Sequence, residues 1–102
     1  MLQLRPSCEH CDKALPPNST EAMICSYECT FCADCAEHVL GHVCPNCGGN
    51  FVARPIRPST EWRPGVSLSH QPARKDKVFK PVSVQEQKEF AARVSKTPPG
   101  SR

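Results

Sequence analysis

Eight cysteines fall between Cys8 and Cys47, spaced Cys8-x2-Cys11-x13-Cys25-x3-Cys29-x2-Cys32-x2-Cys35-x8-Cys44-x2-Cys47. A thiolate is a soft anionic ligand, and a CxxC turn brings two of them to one ion while backbone N–H groups hydrogen-bond to the charged sulfurs. Three such pairs and the slightly wider Cys25-x3-Cys29 make two sites of four sulfurs, and a shell of four thiolates suits zinc. That shell is closed, with no position for an activated water, so the chemistry expected is structural rather than metal-assisted hydrolysis. Cys44-Pro45-Asn46-Cys47-Gly48-Gly49 is the clearest knuckle: proline presets the first φ of the turn, and glycine after the second cysteine can take the positive φ that closes it.

Other uses of the same cysteines fare worse. Structural disulfides need an oxidising compartment, and the opening MLQLRP lacks the basic start and apolar run of a signal peptide, so a cytoplasmic chain with reduced thiols is expected. The run Cys29, Cys32, Cys35 superficially resembles that of a ferredoxin but lacks the fourth cysteine followed by proline. His38 and His42 stand four apart, and His10 lies inside the first knuckle. The cysteines already complete two shells, so these three are read as surface histidines. Asn18-Ser19-Thr20 is read as a polar loop.

Such sites need a scaffold, and the chain offers little beyond them. Its 102 residues are 38% hydrophobic and 6% aromatic with eleven prolines, too lean for burial alone to hold an ordinary core. Neither a membrane-spanning apolar stretch nor a lipidation motif occurs, so no membrane partner is expected, and no small-molecule substrate is indicated. A short helix over Ala33 to Leu40, stopped by Gly41, would place Ala36, Val39 and Leu40 against Phe31, Ile24 and Phe51 in a miniature core.

Charge divides the chain. Residues 1–53 carry six acids and two bases, a formal −4, whereas residues 54–102 carry eleven bases and four acids, a formal +7. That second half also holds seven of the eleven prolines, and residues 54–81 show almost no hydrophobic periodicity, the composition of a disordered basic linker. Ser83-Val84-Gln85-Glu86 has capping-box spacing, which predicts a short amphipathic helix within 82–96, with Phe90, Ala91 and Val94 on one face. Twelve residues with so narrow a stripe make a marginal helix unless it docks, and 97–102 reads as a disordered terminus. A basic tail folding back on its own acidic head is the plainest use of the asymmetry.

Two groupings of the sulfurs are open. A sequential one joins Cys8, Cys11, Cys25 and Cys29, then Cys32, Cys35, Cys44 and Cys47. An interleaved one joins Cys8, Cys11, Cys32 and Cys35, then Cys25, Cys29, Cys44 and Cys47, and ties both sites into one compact unit. The order of pairs, the aromatic in Cys29-Thr30-Phe31-Cys32 and the closing Cys44-Pro45-Asn46-Cys47 resemble the RING finger, and that resemblance implies the interleaved cross-brace, with Cys29 where RING fingers usually place histidine. More closely, the head from MLQLRPSCEHCDKALPP to CPNCGGNFVARP is similar to a bacterial family of short cysteine-rich proteins known only as domain of unknown function 1272. The fold class implied is a small zinc-stabilised α+β domain with two zinc sites, one short helix and short strands, followed by a largely disordered tail.

Ubiquitin-ligase RING fingers place an apolar residue just after the first cysteine, a tryptophan in the interval before the last pair, and often a basic residue after the last cysteine. This chain has Glu9, AEHVLGHV and Gly48 at those places, which argues against ligase activity. The leading expectation is a structural zinc-binding protein with no catalysis of its own, presenting residues such as Glu9, His10, Tyr27, Glu37 and His38 to a protein partner that the sequence does not identify. A nucleic-acid-associated protein binding through residues 54–102 is the alternative, opposed by the negative head and by Trp62, Phe79 and Phe90 lying far apart. A thiol redox switch that releases zinc on oxidation is the third. Pro55-Ile56-Arg57-Pro58 could meet an aromatic groove in a partner, but it reads equally well as a stiff exit from the head.

Overall fold

The computed structural model describes residues 1–102. Three short antiparallel strands carry the head: β1 (Ala22–Ile24) lies between β2 (Thr30–Cys32) and β3 (Val52–Ala53). The register sets Met23 opposite both Phe31 and Ala53, and Ile24 opposite both Thr30 and Val52. Helix α1 (Ala33–His38) continues directly from β2, with Cys32 as its N-cap and Gly41 in the left-handed region just beyond. The helix is thus two residues shorter than the sequence implied, because the chain turns at Val39, whose N–H donates to the Cys35 carbonyl.

The core is small and largely sulfur. Leu4, Leu15, Phe31, Leu40 and Val43 are fully buried together with Ala22, Ala36 and six of the eight cysteines. Phe51 stands edge-on to Phe31 with ring centroids 5.4 Å apart, and Val39 and Phe51 close the cluster from its margin.

The second half of the chain is not a disordered tail, and the expectation of disorder over 54–81 and 97–102 is corrected here. It is strapped across the head by polar contacts rather than by apolar periodicity, which is why its composition suggested solvent. Arg54, 4% exposed, donates to the carbonyls of Arg5, Leu15 and Pro16 at 2.9, 3.2 and 3.0 Å. Arg57 donates to the carbonyls of Leu2 and Gln71, each at 2.7 Å. Further along, the Arg74 N–H donates to the Leu4 carbonyl, the Lys80 N–H to the Glu9 carbonyl, and the Val82 N–H to His10 Nδ1.

Helix α2 (Val84–Val94) begins at the anticipated cap, where Ser83 Oγ accepts from the Glu86 N–H. It does dock. Ala91 lies over Gly41, where a Cβ would stand 3.4 Å from the Ala91 methyl, and Phe90 and Val94 cover Gly48. Gln87, a residue that hydropathy assigns to solvent, is 4% exposed and donates to the carbonyls of Leu40 and Val43, both at 3.0 Å. The terminus forms a single 3-10 turn (Pro99–Ser101), and Arg102 donates to the Gly48 carbonyl at 3.1 Å. Because the strap lies on the head instead of forming a second core, the molecule extends 46 × 28 × 18 Å.

If these contacts carry the docking, Arg54→Ala and Gln87→Leu should each lower unfolding stability by about 1–3 kcal/mol, since each leaves buried carbonyls without a donor. Arg63→Ala, on the exposed loop, should stay within about 0.5 kcal/mol of the parent. Urea denaturation of the three variants measures this; equal, negligible effects would mean the strap is held by something else.

Candidate metal centre

Two of the cysteine pairs are built as the same loop. In the first, the Cys8 N–H donates to the Lys13 carbonyl at 2.9 Å and the Asp12 N–H to the Cys8 carbonyl at 3.0 Å; in the second, the Cys44 N–H donates to the Gly49 carbonyl and the Gly48 N–H to the Cys44 carbonyl, both at 2.8 Å. The residue after the second cysteine has φ of 64° at Asp12 and 76° at Gly48. Glycine signals that conformation in a sequence, whereas aspartate tolerates it without announcing it.

The other two pairs use different devices. Cys25 sits at the end of β1, where the Tyr27 N–H donates to its sulfur at 3.3 Å and Glu28 takes φ of 68° to turn the chain into Cys29. Cys32 closes β2 and caps α1, its sulfur accepting from the Cys35 N–H at 3.4 Å. Strand β2 and its neighbouring residue therefore place Cys29 at one end and Cys32 at the other.

The sulfurs gather in interleaved order. Those of Cys8, Cys11, Cys32 and Cys35 all lie within 4.8 Å of one another, with Cys11 and Cys32 at 3.7 Å. Those of Cys25, Cys44 and Cys47 form a second group within the same radius, and the Cys29 sulfur stands at its edge, facing Cys25 and Cys44. The sequential set of Cys8, Cys11, Cys25 and Cys29 is not brought together. All eight thiols are free, with one cysteine of each group, Cys11 and Cys47, open to solvent.

Burial sets the thiol chemistry. It raises Cys29, Cys32, Cys35 and Cys44 above the ordinary thiol value, Cys35 and Cys44 most strongly, because a thiolate is costly away from water. At Cys8 burial also acts upward, but the N–H groups of Cys11, Cys32 and His10 stabilise its thiolate and together bring it below that value. Without a cation Cys29, Cys32, Cys35 and Cys44 favour protonated sulfur; a divalent ion would supply the opposite charge that lets their thiolates persist.

Several residues singled out from sequence are placed differently. Glu9 is not at the surface. It is 1% exposed, its carboxylate accepting from the Thr30 N–H at 2.6 Å and pairing with Arg5 at 2.8 Å. His10 is half-buried and accepts from the strap, while His38 is exposed between Asp34 and Glu37, each 3.7 Å away. Tyr27 is 72% exposed. Asn46, to which the knuckle motif assigns no role, donates through Nδ2 to Glu9 at 3.4 Å and lines one surface hollow with Cys29. No helix is long and apolar enough to cross a membrane.

Comparison with known proteins adds a frame without an activity. A family model described as "Protein of unknown function (DUF1272)" matches residues 1–57. An uncharacterized protein of Rhizobium meliloti (strain 1021) is 56% identical over 81 residues, which cover 79% of this chain and 89% of that protein. An aligned stretch of that length is longer than the cysteine-bearing head, so the similarity extends into the strap. No solved structure matches.

Thiols that hold their protons must give them up to a metal. Loading two divalent ions at pH 7 should therefore release at least the four protons held by Cys29, Cys32, Cys35 and Cys44, and acidification should expel the metal, because the metal-bound thiolates titrate below the free thiols and their contribution is lost as pH falls through that lowered value. Calorimetric titration in buffers of different ionisation enthalpy counts the protons. A release well below four would mean that these thiols are not the ligands.

Proposed function

The chain belongs to the family described as protein of unknown function (DUF1272), and from that premise we propose that it is a structural zinc protein, a small binding scaffold with no catalysis of its own. The observation that carries this is the convergence of eight thiols into two groups of four, interleaved along the chain. Four sulfurs at about 2.3 Å from a tetrahedral zinc lie about 3.8 Å apart, and the Cys11 to Cys32 separation of 3.7 Å suits that shell. Cys8, Cys11, Cys32 and Cys35 would hold one ion, and Cys25, Cys29, Cys44 and Cys47 the other. Zinc in such a shell supplies charge and geometry to the fold and no open coordination position.

The interleaving is that of a RING-like cross-brace, but the surface that ubiquitin ligases use is replaced. Glu9 occupies the place of the apolar residue after the first cysteine and is turned inward to Arg5 and Thr30. A scaffold role draws instead on the loop between Pro58 and Gln71. The Leu68 N–H donates to the Pro58 carbonyl at 2.9 Å, Gln71 Nε2 to the Gly65 carbonyl at 2.9 Å, and Glu61 engages both His70 and the Gly65 N–H. That self-bonded loop presents Trp62 at 77% exposure, with Val66 beside it, and a rigid exposed tryptophan is the kind of residue that anchors protein interfaces. A protein partner is favoured over nucleic acid because Arg54, Arg57 and Arg102 donate to carbonyls of the chain itself, and Arg74 and Lys77 face Asp76 and Asp12.

Native mass spectrometry of the reduced protein should find two zinc ions per chain; one, none, or iron in their place would reject the reading. A photoreactive residue at position 66 should cross-link to protein in cells, and Trp62→Ala should abolish that adduct without changing zinc content. An adduct to RNA or DNA would favour the nucleic-acid alternative.

A further inference from the structure

Cys29 is the ligand whose sulfur is least gathered into its group. Its turn is closed like the knuckles, with the Cys25 N–H donating to the Cys29 carbonyl at 3.2 Å and the Glu28 N–H to the Cys25 carbonyl at 3.0 Å, but its sulfur stands outside the 4.8 Å group of Cys25, Cys44 and Cys47.

What holds it converges on one buried carboxylate. Glu9 pairs with the residue next to Cys29 in both directions: its N–H donates to the Thr30 carbonyl at 3.0 Å, and its Oε2 accepts from the Thr30 N–H at 2.6 Å. Its other oxygen, Oε1, accepts from Asn46 Nδ2 at 3.4 Å, and the Asn46 side chain lines one surface hollow together with Cys29. Lys80 Nζ donates to Asn46 Oδ1 at 3.3 Å, which fixes the amide with its N–H₂ inward. Arg5 Nη1 pairs with the same carboxylate at 2.8 Å, so the buried group is not left without a counter-charge.

We propose that Glu9 and Asn46 form a positioning link between the two metal sites, in which a residue carried between the ligands of the first site holds the Cys29 ligand of the second. The inference rests on the zinc reading above. Neighbours of this kind fix the orientation of a ligand and typically change metal affinity ten- to hundredfold when altered.

The two sites make the link testable because its position in sequence and its effect in space disagree. Glu9 is flanked by Cys8 and Cys11, so a purely local role would disturb the first site. Glu9→Gln preserves the shape and one acceptor oxygen for Arg5 and Thr30, but turns an N–H₂ group toward the Asn46 N–H₂. Two donors then face each other, Asn46 must rotate, and the side chain packed beside Cys29 is displaced.

Full-length protein loaded with NMR-active cadmium should give two resonances, assigned through couplings to cysteine side-chain protons. In Glu9→Gln and in Asn46→Ala, the resonance coupled to Cys8, Cys11, Cys32 and Cys35 should stay in place. The one coupled to Cys25, Cys29, Cys44 and Cys47 should move, with its ion bound ten- to hundredfold more weakly in competition with a chelator. A shift of the first-site resonance alone, of both equally, or of neither would overturn the link. If Glu9→Gln does not fold, Glu9→Asp, which keeps the charge beside Arg5 but shortens the reach to Asn46, makes the same comparison from the first knuckle. A parent chain that takes up fewer than two ions overturns the zinc reading and the link together, whereas two ions with an indifferent Asn46→Ala overturns the link alone.

Discussion

Four consecutive residues, Cys29-Thr30-Phe31-Cys32, constrain everything around them. A strand advances about 3.3 Å per residue, so Cys29 and Cys32 lie at opposite ends of β2 and deliver their sulfurs to different groups. Phe31 between them is fully buried against Phe51, and Thr30 is paired to Glu9, so the segment is core, sheet edge and metal scaffold at once. Every other element answers to it. Helix α1 starts at Cys32 because that cysteine is also its cap, and the two knuckles meet the strand from its two ends. A chain with this little apolar side chain to bury gains its order by closing loops through sulfur, and interleaving closes each loop against another.

Much of that was legible, and for a physical reason. Ligand chemistry is written in residue type and spacing, so the eight cysteines, their number of sites and the Gly48 turn could be read directly, whereas the choice between sequential and interleaved groups came from the RING resemblance. Short-range devices were equally plain: the Ser83 cap with Glu86, the helix after Cys32, and the burial of Phe31, Ala36 and Leu40 follow from neighbours within four residues. The Asp12 turn escaped because aspartate reaches positive φ without a compositional mark, although Gly48 sits at the corresponding position of the second knuckle.

What sequence did not convey is the strap. Disorder was inferred from the absence of apolar periodicity, and that absence is real. The contacts that hold residues 54–82 are donors meeting carbonyls left over in the head, and a leftover carbonyl belongs to a loop's three-dimensional path, not to any residue type. Arg54 and Gln87 look alike in composition to Arg63 and Gln85, yet the first two are buried with their donors engaged by head carbonyls and the last two are exposed. Glu9 was misjudged on the same ground: an acid beside a cysteine reads as surface until its partners, 21 and 37 residues away, are known.

If the two cysteine groups hold divalent ions as proposed, each site of four thiolates carries −2, and two such sites deepen the negative field of a head that is already acidic. A buried site of that charge attracts cations into its surroundings, and the chain supplies them on both sides. Arg5 and Arg54 enter the head itself, Lys80 reaches the knuckle that carries Cys44 and Cys47, and Lys77 meets Asp12 beside the other. The basic half nonetheless meets the head chiefly through donors to carbonyls, with Lys77 and Asp12 forming the ion pair that joins the two halves. If the sites hold ions as proposed, strap and metal are linked energetically, because an ion that orders the knuckles also orders the surface on which Lys77, Lys80 and Val82 rest.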